Sequence, residues 1–202
     1  MNNALLIFVK SLIYGQVKTR LAVTVGNDRA IKIYQQLLVH SYAAFKNVCA
    51  DKIVFYSDFI EDDIWKNDEF EKKIQQGNDL GERMKNAFIT AFEKRYEKVI
   101  IVGTDCPGID DDILEIAFAK LDDHDMVIGP STDGGYYLLG MKKAEPFLFE
   151  NIEWSTGSVL KETIGRCTKN YWSYFLLPEL TDIDEEKDLV HFKETFNFKP
   201  DF

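Results

Sequence analysis

"KVIIVGTDCPGI", residues 98–109, decides the fold. After Lys98 the run is apolar and β-branched without alternation, which suits a strand buried on both faces of a parallel sheet. Thr104 and Asp105 end the run, Pro107 and Gly108 turn the backbone away, and Asp110 is a candidate N-cap for the helix that follows. Outward from this unit, "ALLIFV" (4–9), "KIVFYS" (52–57) and "DMVIGP" (125–130) read as similar strands. Between them Tyr34, Leu37, Leu38, Tyr42 and Phe45 follow helical spacing, as do Leu80, Met84, Ala87, Phe88, Ala91 and Phe92. Past residue 130 the order changes: "YYLLGM" (136–141) and "YWSYFLLP" (171–178) read as strands, with helical stretches near 156–168 and 184–195. No repeat or linker interrupts the sequence. The expectation is an α/β protein: a single three-layer α/β/α domain over residues 1–202, Rossmann-like in its first half, with a mostly parallel mixed sheet. Ligands of such sheets lie beyond the carboxyl ends of the strands, which groups loops 10–20, 76–80, 104–109 and 131–135.

A 46% hydrophobic content over 202 residues is enough for a sizeable core, and 29% charged residues without a low-complexity tract argue against disorder. A formal net charge of −10 argues against a nucleic-acid partner, which requires a broad basic face. A small anionic ligand needs only one local basic pocket. The opening "MNNALLIFVK" has no basic leader, and its apolar run is too short for a signal peptide or a membrane span. Cys49, Cys106 and Cys167 form no Cys-x-x-Cys pair, so a reduced, cytoplasmic protein is expected. His40, His124 and His191 are too scattered to suggest a zinc site.

Four loops carry chemistry. In the first, Lys10, Lys18 and Arg20 surround a turn at Gly15, with Thr19 between the last two. Lysine, arginine and free backbone N–H groups bind polyphosphate in this manner, although the loop is not a Walker A motif. The bland alternative is an exposed loop that balances surface acids. In the second, Asp105 either holds a hard divalent cation against ligand phosphates or caps the next helix. Cys106 has no histidine nearby in sequence to activate it as a nucleophile. The third, "GPSTDGGYYLLG", offers Thr132 and Asp133 beside Gly134, either for close approach to a ligand or as a plain hairpin turn. In the fourth, "LTDIDEEKDL", one of Asp182 and Asp184 is expected to cap a helix and the other to join Asp105 at a metal. Two smaller features are "QQGNDLGERM", where Gln76, Asp79 and Gly81 are candidates for base and ribose contact, and "EWSTGSVL", where Ser155 precedes a helix N-terminus open to an anion.

Taken in order, KTRLA, Q-x-G-x-D-L-G-x-R, TDCPG, STDGGYYLLG, WST and D-x-D-x-x-x-D-L resemble a bacterial family of glycosyltransferase-like proteins. That family belongs to the nucleotide-diphospho-sugar transferase superfamily, with the GT-A fold, and the resemblance runs from about residue 4 to about residue 192. The protein is more distantly similar to 2-phospho-L-lactate guanylyltransferase and related nucleotidyltransferases. The resemblance implies phosphate binding by Lys10, Lys18 and Arg20, a Mg2+ or Mn2+ on Asp105, Asp182 and Asp184, and an acceptor near Thr132 and Ser155. Two departures stand out. The G-x-G-x-R loop of sugar nucleotidyltransferases is absent, and Pro107 stands where glycosyltransferases of this fold carry the second Asp of their central D-x-D.

The expected function is therefore that of a transferase binding a nucleoside triphosphate or nucleotide sugar together with a small-molecule acceptor. Nucleotidyl transfer to a phosphorylated acceptor leads, with Lys18, Arg20 and Asp105 as the catalytic residues. It requires no side-chain nucleophile, only positioning and charge neutralisation. Glycosyl transfer is the alternative, with Asp133 or Glu153 as base. A nucleotide-binding regulatory domain without turnover is the third reading.

Overall fold

The structure, a computed structural model, describes residues 2–190. The apolar runs form strands β1 (Asn3–Val9), β2 (Asp51–Tyr56), β4 (Lys98–Gly103), β5 (Met126–Pro130) and β6 (Tyr136–Met141), joined by β3 (Glu71–Ile74) and β7 (Tyr174–Leu176). They build one seven-stranded sheet in the order β3-β2-β1-β4-β6-β5-β7. Every pairing is parallel except those of β6, which runs antiparallel to β4 and β5.

The two faces of β1 show why the strands are continuously apolar. Leu5, Ile7 and Val9 face one core, and Ala4 and Leu6 face the other. The first core is covered by α1 (Thr19–Val25), α2 (Asn27–Phe45) and α4 (Asp111–Asp123) through residues such as Leu21, Leu37 and Phe118. The second is covered by α3 (Leu80–Glu93) and α5 (Val159–Lys169), through Met84, Phe88 and Cys167. This is the expected three-layer α/β/α arrangement.

The register aligns the strand ends. Val9 pairs with Tyr56 and Phe8 with Gly103, so the backbone leaves β1, β2 and β4 at one edge. Because β6 is antiparallel, its start returns to that same edge, with Leu138 opposite Val102 and Tyr136 opposite Pro130.

Some elements differ from the sequence reading. The loop expected over 10–20 ends earlier, because Thr19 and Arg20 already belong to α1. Strand β3, "EKKI", has no counterpart among the expected strands; it is a half-exposed edge strand with no apolar run to mark it. The strand expected over 171–178 shrinks to three residues. The helical stretch at 184–195 begins with a 3-10 turn at Glu186–Asp188, and its part beyond residue 190 lies outside the described residues. Among the described residues no helix is long and apolar enough to cross a membrane.

Candidate active site

A cleft of ≈570 Å3 opens across the carboxyl ends of the strands and is lined by Lys10, Arg20, Asp105, Asp133, Ser155, Asp182 and Asp184, among others. A smaller recess of ≈100 Å3 beside it is lined by Lys10, Lys18, Thr19, Arg20, Asp105 and Asp184.

The basic loop is built to aim Lys18. Gly15 turns the backbone at φ +75° and lies outside the lining of both cavities, so its part is conformational. Lys18 takes the left-handed conformation (φ 49°, ψ 45°) where α1 begins, which costs a non-glycine residue about 1–2 kcal/mol. Its buried ammonium reaches Asp105 Oδ1 at 2.7 Å and Asp184 Oδ1 at 3.3 Å. Burial by itself would lower the Lys18 pKa; Asp105 and Asp184 outweigh it and hold the group above its ordinary value. Arg20, on the first turn of α1, pairs with the other oxygen of Asp184.

Backbone hydrogen bonds stitch the late acidic segment to the loops that follow β4 and β5. Leu180 N donates to Pro130 O, Thr132 N donates to Leu180 O, and Ile183 N donates to Asp105 O. Asp182 thereby arrives next to Ser131, whose Oγ donates to Asp182 Oδ2 at 2.6 Å. Neither Asp182 nor Asp184 is a helix cap. Glu185 caps the 3-10 turn in a capping box with Asp188, which also accepts from the Asp184 backbone N–H. Asp105 is not a cap either, because Asp110 fills that role for α4 by accepting from Ile113 N at 2.9 Å.

The expected set of three metal carboxylates is not assembled. Among the described residues no group of three or more His, Cys, Asp or Glu side chains is arranged to hold a metal ion. The reason is Lys18: its ammonium lies against Asp105 and Asp184, and Arg20 draws Asp184 further into the basic loop. Asp105 and Asp182 both line the cleft, and each offers the hard carboxylate oxygens that a divalent cation takes. Mg2+ is commonly held by one or two carboxylates with substrate phosphates completing its shell.

Asp182 differs from the other cleft carboxylates in its burial. Burial pushes its carboxyl up to about 7, and the Asp105 charge adds to the effect against the Ser131 hydrogen bond. From an unfolded value of 3.8, the unfolded protein releases this proton between about pH 4 and 7 while the folded protein keeps it. Stability attributable to Asp182 is therefore lost as pH rises through that window. In EDTA at pH 8, Asp182→Asn should raise stability by on the order of 2–4 kcal/mol and flatten the pH dependence of melting between about pH 5 and 8. A melting temperature lower than wild type across that range would contradict the burial assigned to Asp182.

The opposite arm of the cleft is formed by two loops locked together. Gly134 (φ +88°) lies so close to the second loop that a Cβ there would fall 2.2 Å from Gly157 O, and Leu160 N donates to Gly134 O. Asp133 Oδ1 accepts from Gly135 N at 2.9 Å, and Ser155 is held in the left-handed region at φ 63°. Asp133, Ser155, Thr156 and Gly157 line the cleft. Thr132 does not; its hydroxyl faces Thr181 at 3.3 Å. Glu153 is exposed and outside the lining, which leaves Asp133 as the carboxylate at this arm. Cys106 is buried and its thiol is pushed up by desolvation, which argues against a nucleophile.

On the α3 side the sequence reading is off by a residue. Gln76 is exposed and outside the lining, whereas Gln75 lines the cleft together with Arg83. Asp79 is the N-cap of α3, accepting from Glu82 N at 2.8 Å. Gly81 is a packing residue: a Cβ there would fall 2.1 Å from the Trp154 ring, so only glycine lets Trp154 close down on α3. Trp154, Thr156, Gln75 and Arg83 are cleft residues not among the expected contacts. Gln75 is the first letter of Q-x-G-x-D-L-G-x-R and Arg83 its last, so the motif could have pointed to both.

Comparison with known proteins agrees with this fold. The profile of a family described as "Uncharacterized protein conserved in bacteria (DUF2064)" matches residues 39–156. A crystal structure from Desulfovibrio desulfuricans G20, provisionally named a nucleotide-diphospho-sugar transferase, is 31% identical, with a TM-score of 0.87 over 99% of this chain and 91% of that one. A cytidylyltransferase from Leptospira borgpetersenii serovar Hardjo-bovis superposes with a TM-score of 0.58 at 15% identity, over 100% of this chain and 90% of that one. The inositol-1-phosphate CTP transferase from T. maritima does so with 0.56 at 16% identity, over 98% and 95%. The last two likenesses are of fold. A search of curated protein sequences gives no match.

Proposed function

The chain belongs to the bacterial DUF2064 family within the nucleotide-diphospho-sugar transferase superfamily, and from that premise we propose that it transfers a nucleotidyl group from a nucleoside triphosphate to a small phosphorylated acceptor. The observation that carries this reading is the contact of Lys18 with Asp105 at the end of β4, beside Arg20 and the buried Asp182. Cation and carboxylate in one recess suit a polyphosphate with its divalent metal. The names of the cytidylyltransferase and CTP transferase of like fold lie in the same direction.

In this reading Lys10, Lys18 and Arg20 receive the phosphates of the triphosphate. Asp184 holds Lys18 and Arg20 in place until those phosphates arrive. Asp105 and Asp182 would hold a Mg2+ or Mn2+, which when bound neutralises charge on the phosphates. The acceptor enters from the arm of Asp133, Ser155 and Gly157, where left-handed backbone and close loop contact leave N–H groups fixed in orientation. Its phosphate oxygen attacks the α-phosphorus, the α–β bridging bond breaks, and pyrophosphate leaves towards Lys18 and Arg20. No side chain is required to form a covalent intermediate, in keeping with the raised Cys106 thiol. A cytoplasmic location suits this use of a soluble triphosphate.

A thermal-shift series with triphosphates and nucleotide sugars, each with Mg2+ and with EDTA, tests the reading. Saturating ligand at about a hundred times its Kd adds roughly 2.7 kcal/mol, a clear rise in Tm. The expected result is a Mg2+-dependent rise with a triphosphate. A rise indifferent to metal favours a binding module without turnover.

A further inference from the structure

The cleft has an arm that the transfer chemistry does not use. It lies past the ends of β1 and β2, along the first turns of α3, where Phe8, Leu80 and Met84 form an apolar wall and Gln75 and Arg83 supply the polar groups. Leu80 is 43% exposed there, a large apolar side chain left uncovered at the mouth.

Arg83 is set in position by neutral groups. Its Nε donates to Gly77 O at 3.2 Å and its Nη1 to Gln75 Oε1 at 3.5 Å. Gln75 is anchored in turn, because its Nε2 donates to Phe55 O at 2.9 Å and to Val9 O at 3.3 Å. That leaves the amide oxygen for the guanidinium. Among the described residues Arg83 forms no ion pair with a carboxylate, unlike Lys18 and Arg20.

Topology says which part of a ligand comes here. Helix α1, with Arg20, covers the Leu5 and Ile7 face of the sheet, whereas α3, with Arg83, covers the Ala4 and Leu6 face. A ligand with its phosphates among Lys10, Lys18 and Arg20 crosses the strand ends to reach Arg83. An apolar wall with one oriented polar fork suits the flat face and the hydrogen-bonding edge of a nucleobase. The Asp133 and Ser155 arm is polar and suits the acceptor instead.

We propose that Arg83, held by Gln75, reads the edge of the nucleobase and makes the site select bases that present carbonyl oxygens over adenine. The inference rests on the nucleotidyl reading of the site. A guanidinium only donates, so it matches acceptor oxygens on guanine, uracil or cytosine. Guanine matches it best, because O6 and N7 lie side by side and accept both prongs. Adenine places an amino donor next to N7, against a group that cannot accept.

The test is the Mg2+-dependent affinity of the full-length protein for GTP, UTP, CTP and ATP, measured for wild type, Arg83→Ala and Arg83→Lys, with melting temperatures as the control for folding. A good bidentate contact discriminates by roughly ten- to a hundredfold, so ATP should bind the wild type that much more weakly than the best of the other three. Arg83→Ala should lower that best affinity to the level of ATP and leave ATP nearly unchanged. Arg83→Lys, which keeps the charge and loses the fork, should lose most of the preference. Equal binding of all four bases by wild type overturns the proposal. So does an equal loss for all four in Arg83→Ala, which would make Arg83 a phosphate contact. Binding of no triphosphate at all would instead sink the nucleotidyl reading and carry this inference with it.

Discussion

Replacing Asp105 by Asn should leave a folded protein that has lost Mg2+-dependent triphosphate binding. Asp105 is half-exposed and does not cap α4. Its side-chain contact is the 2.7 Å pair with Lys18, which an Asn carbonyl oxygen can still accept. Asp184 Oδ1 at 3.3 Å remains as a charge partner of the buried ammonium, so the protein stays folded with a modestly lower melting temperature. The ligand loses more, because with Asp105 gone only Asp182 remains to hold a cation against its phosphates. Transfer should fall by roughly two to three orders of magnitude, the scale seen when one electrostatic stabiliser is removed from a transition state. Isothermal calorimetry with and without Mg2+ checks it. Undiminished metal-dependent affinity in a well-folded Asp105→Asn protein would refute the role.

Lys18→Met and Arg20→Ala should separate the two cations of the loop. Lys18 is buried between carboxylates, so Lys18→Met leaves Asp105 and Asp184 facing each other without it. Breaking a fully buried pair costs about 3–5 kcal/mol, and the half-exposed Asp105 reduces that to roughly 1–3 kcal/mol. Arg20 is mostly exposed, and its ion pair among the described residues is with Asp184, so its loss should hardly move Tm. Both variants should weaken triphosphate binding: Arg20→Ala by roughly ten- to a hundredfold, in keeping with one charge-assisted contact, and Lys18→Met by more. Chemical denaturation together with triphosphate titration reads both effects. An Arg20→Ala protein with wild-type affinity would return the loop to a surface role.

The layers of the fold are legible because β1, β2, β4 and β5 are apolar on both faces, a pattern that few other settings allow. Strand β3 is not legible, because "EKKI" pairs only at the edge of the sheet and carries a single apolar residue. The same gap makes Gln76 the apparent contact in place of Gln75: without a strand to set the alternation, the side that each glutamine takes cannot be read. The basic loop can be recognised as a cluster of charge, but its restraint by Asp184 cannot, since the partners are 166 and 164 residues apart. Gly81 reads as a ligand contact in the sequence, whereas its small size serves Trp154. A glycine signals close approach in sequence; it does not say what approaches.

Product identity tests the central claim most directly. Purified protein is incubated with Mg2+, a triphosphate that stabilises it and a panel of phosphorylated acceptors, and the products are read by coupled pyrophosphate detection and mass spectrometry. Nucleotidyl transfer predicts pyrophosphate in step with a product heavier by one nucleoside monophosphate residue, both absent in Asp105→Asn. Release of an intact nucleoside diphosphate from a nucleotide sugar, with no pyrophosphate from any triphosphate, would contradict the account and assign the cleft to glycosyl transfer.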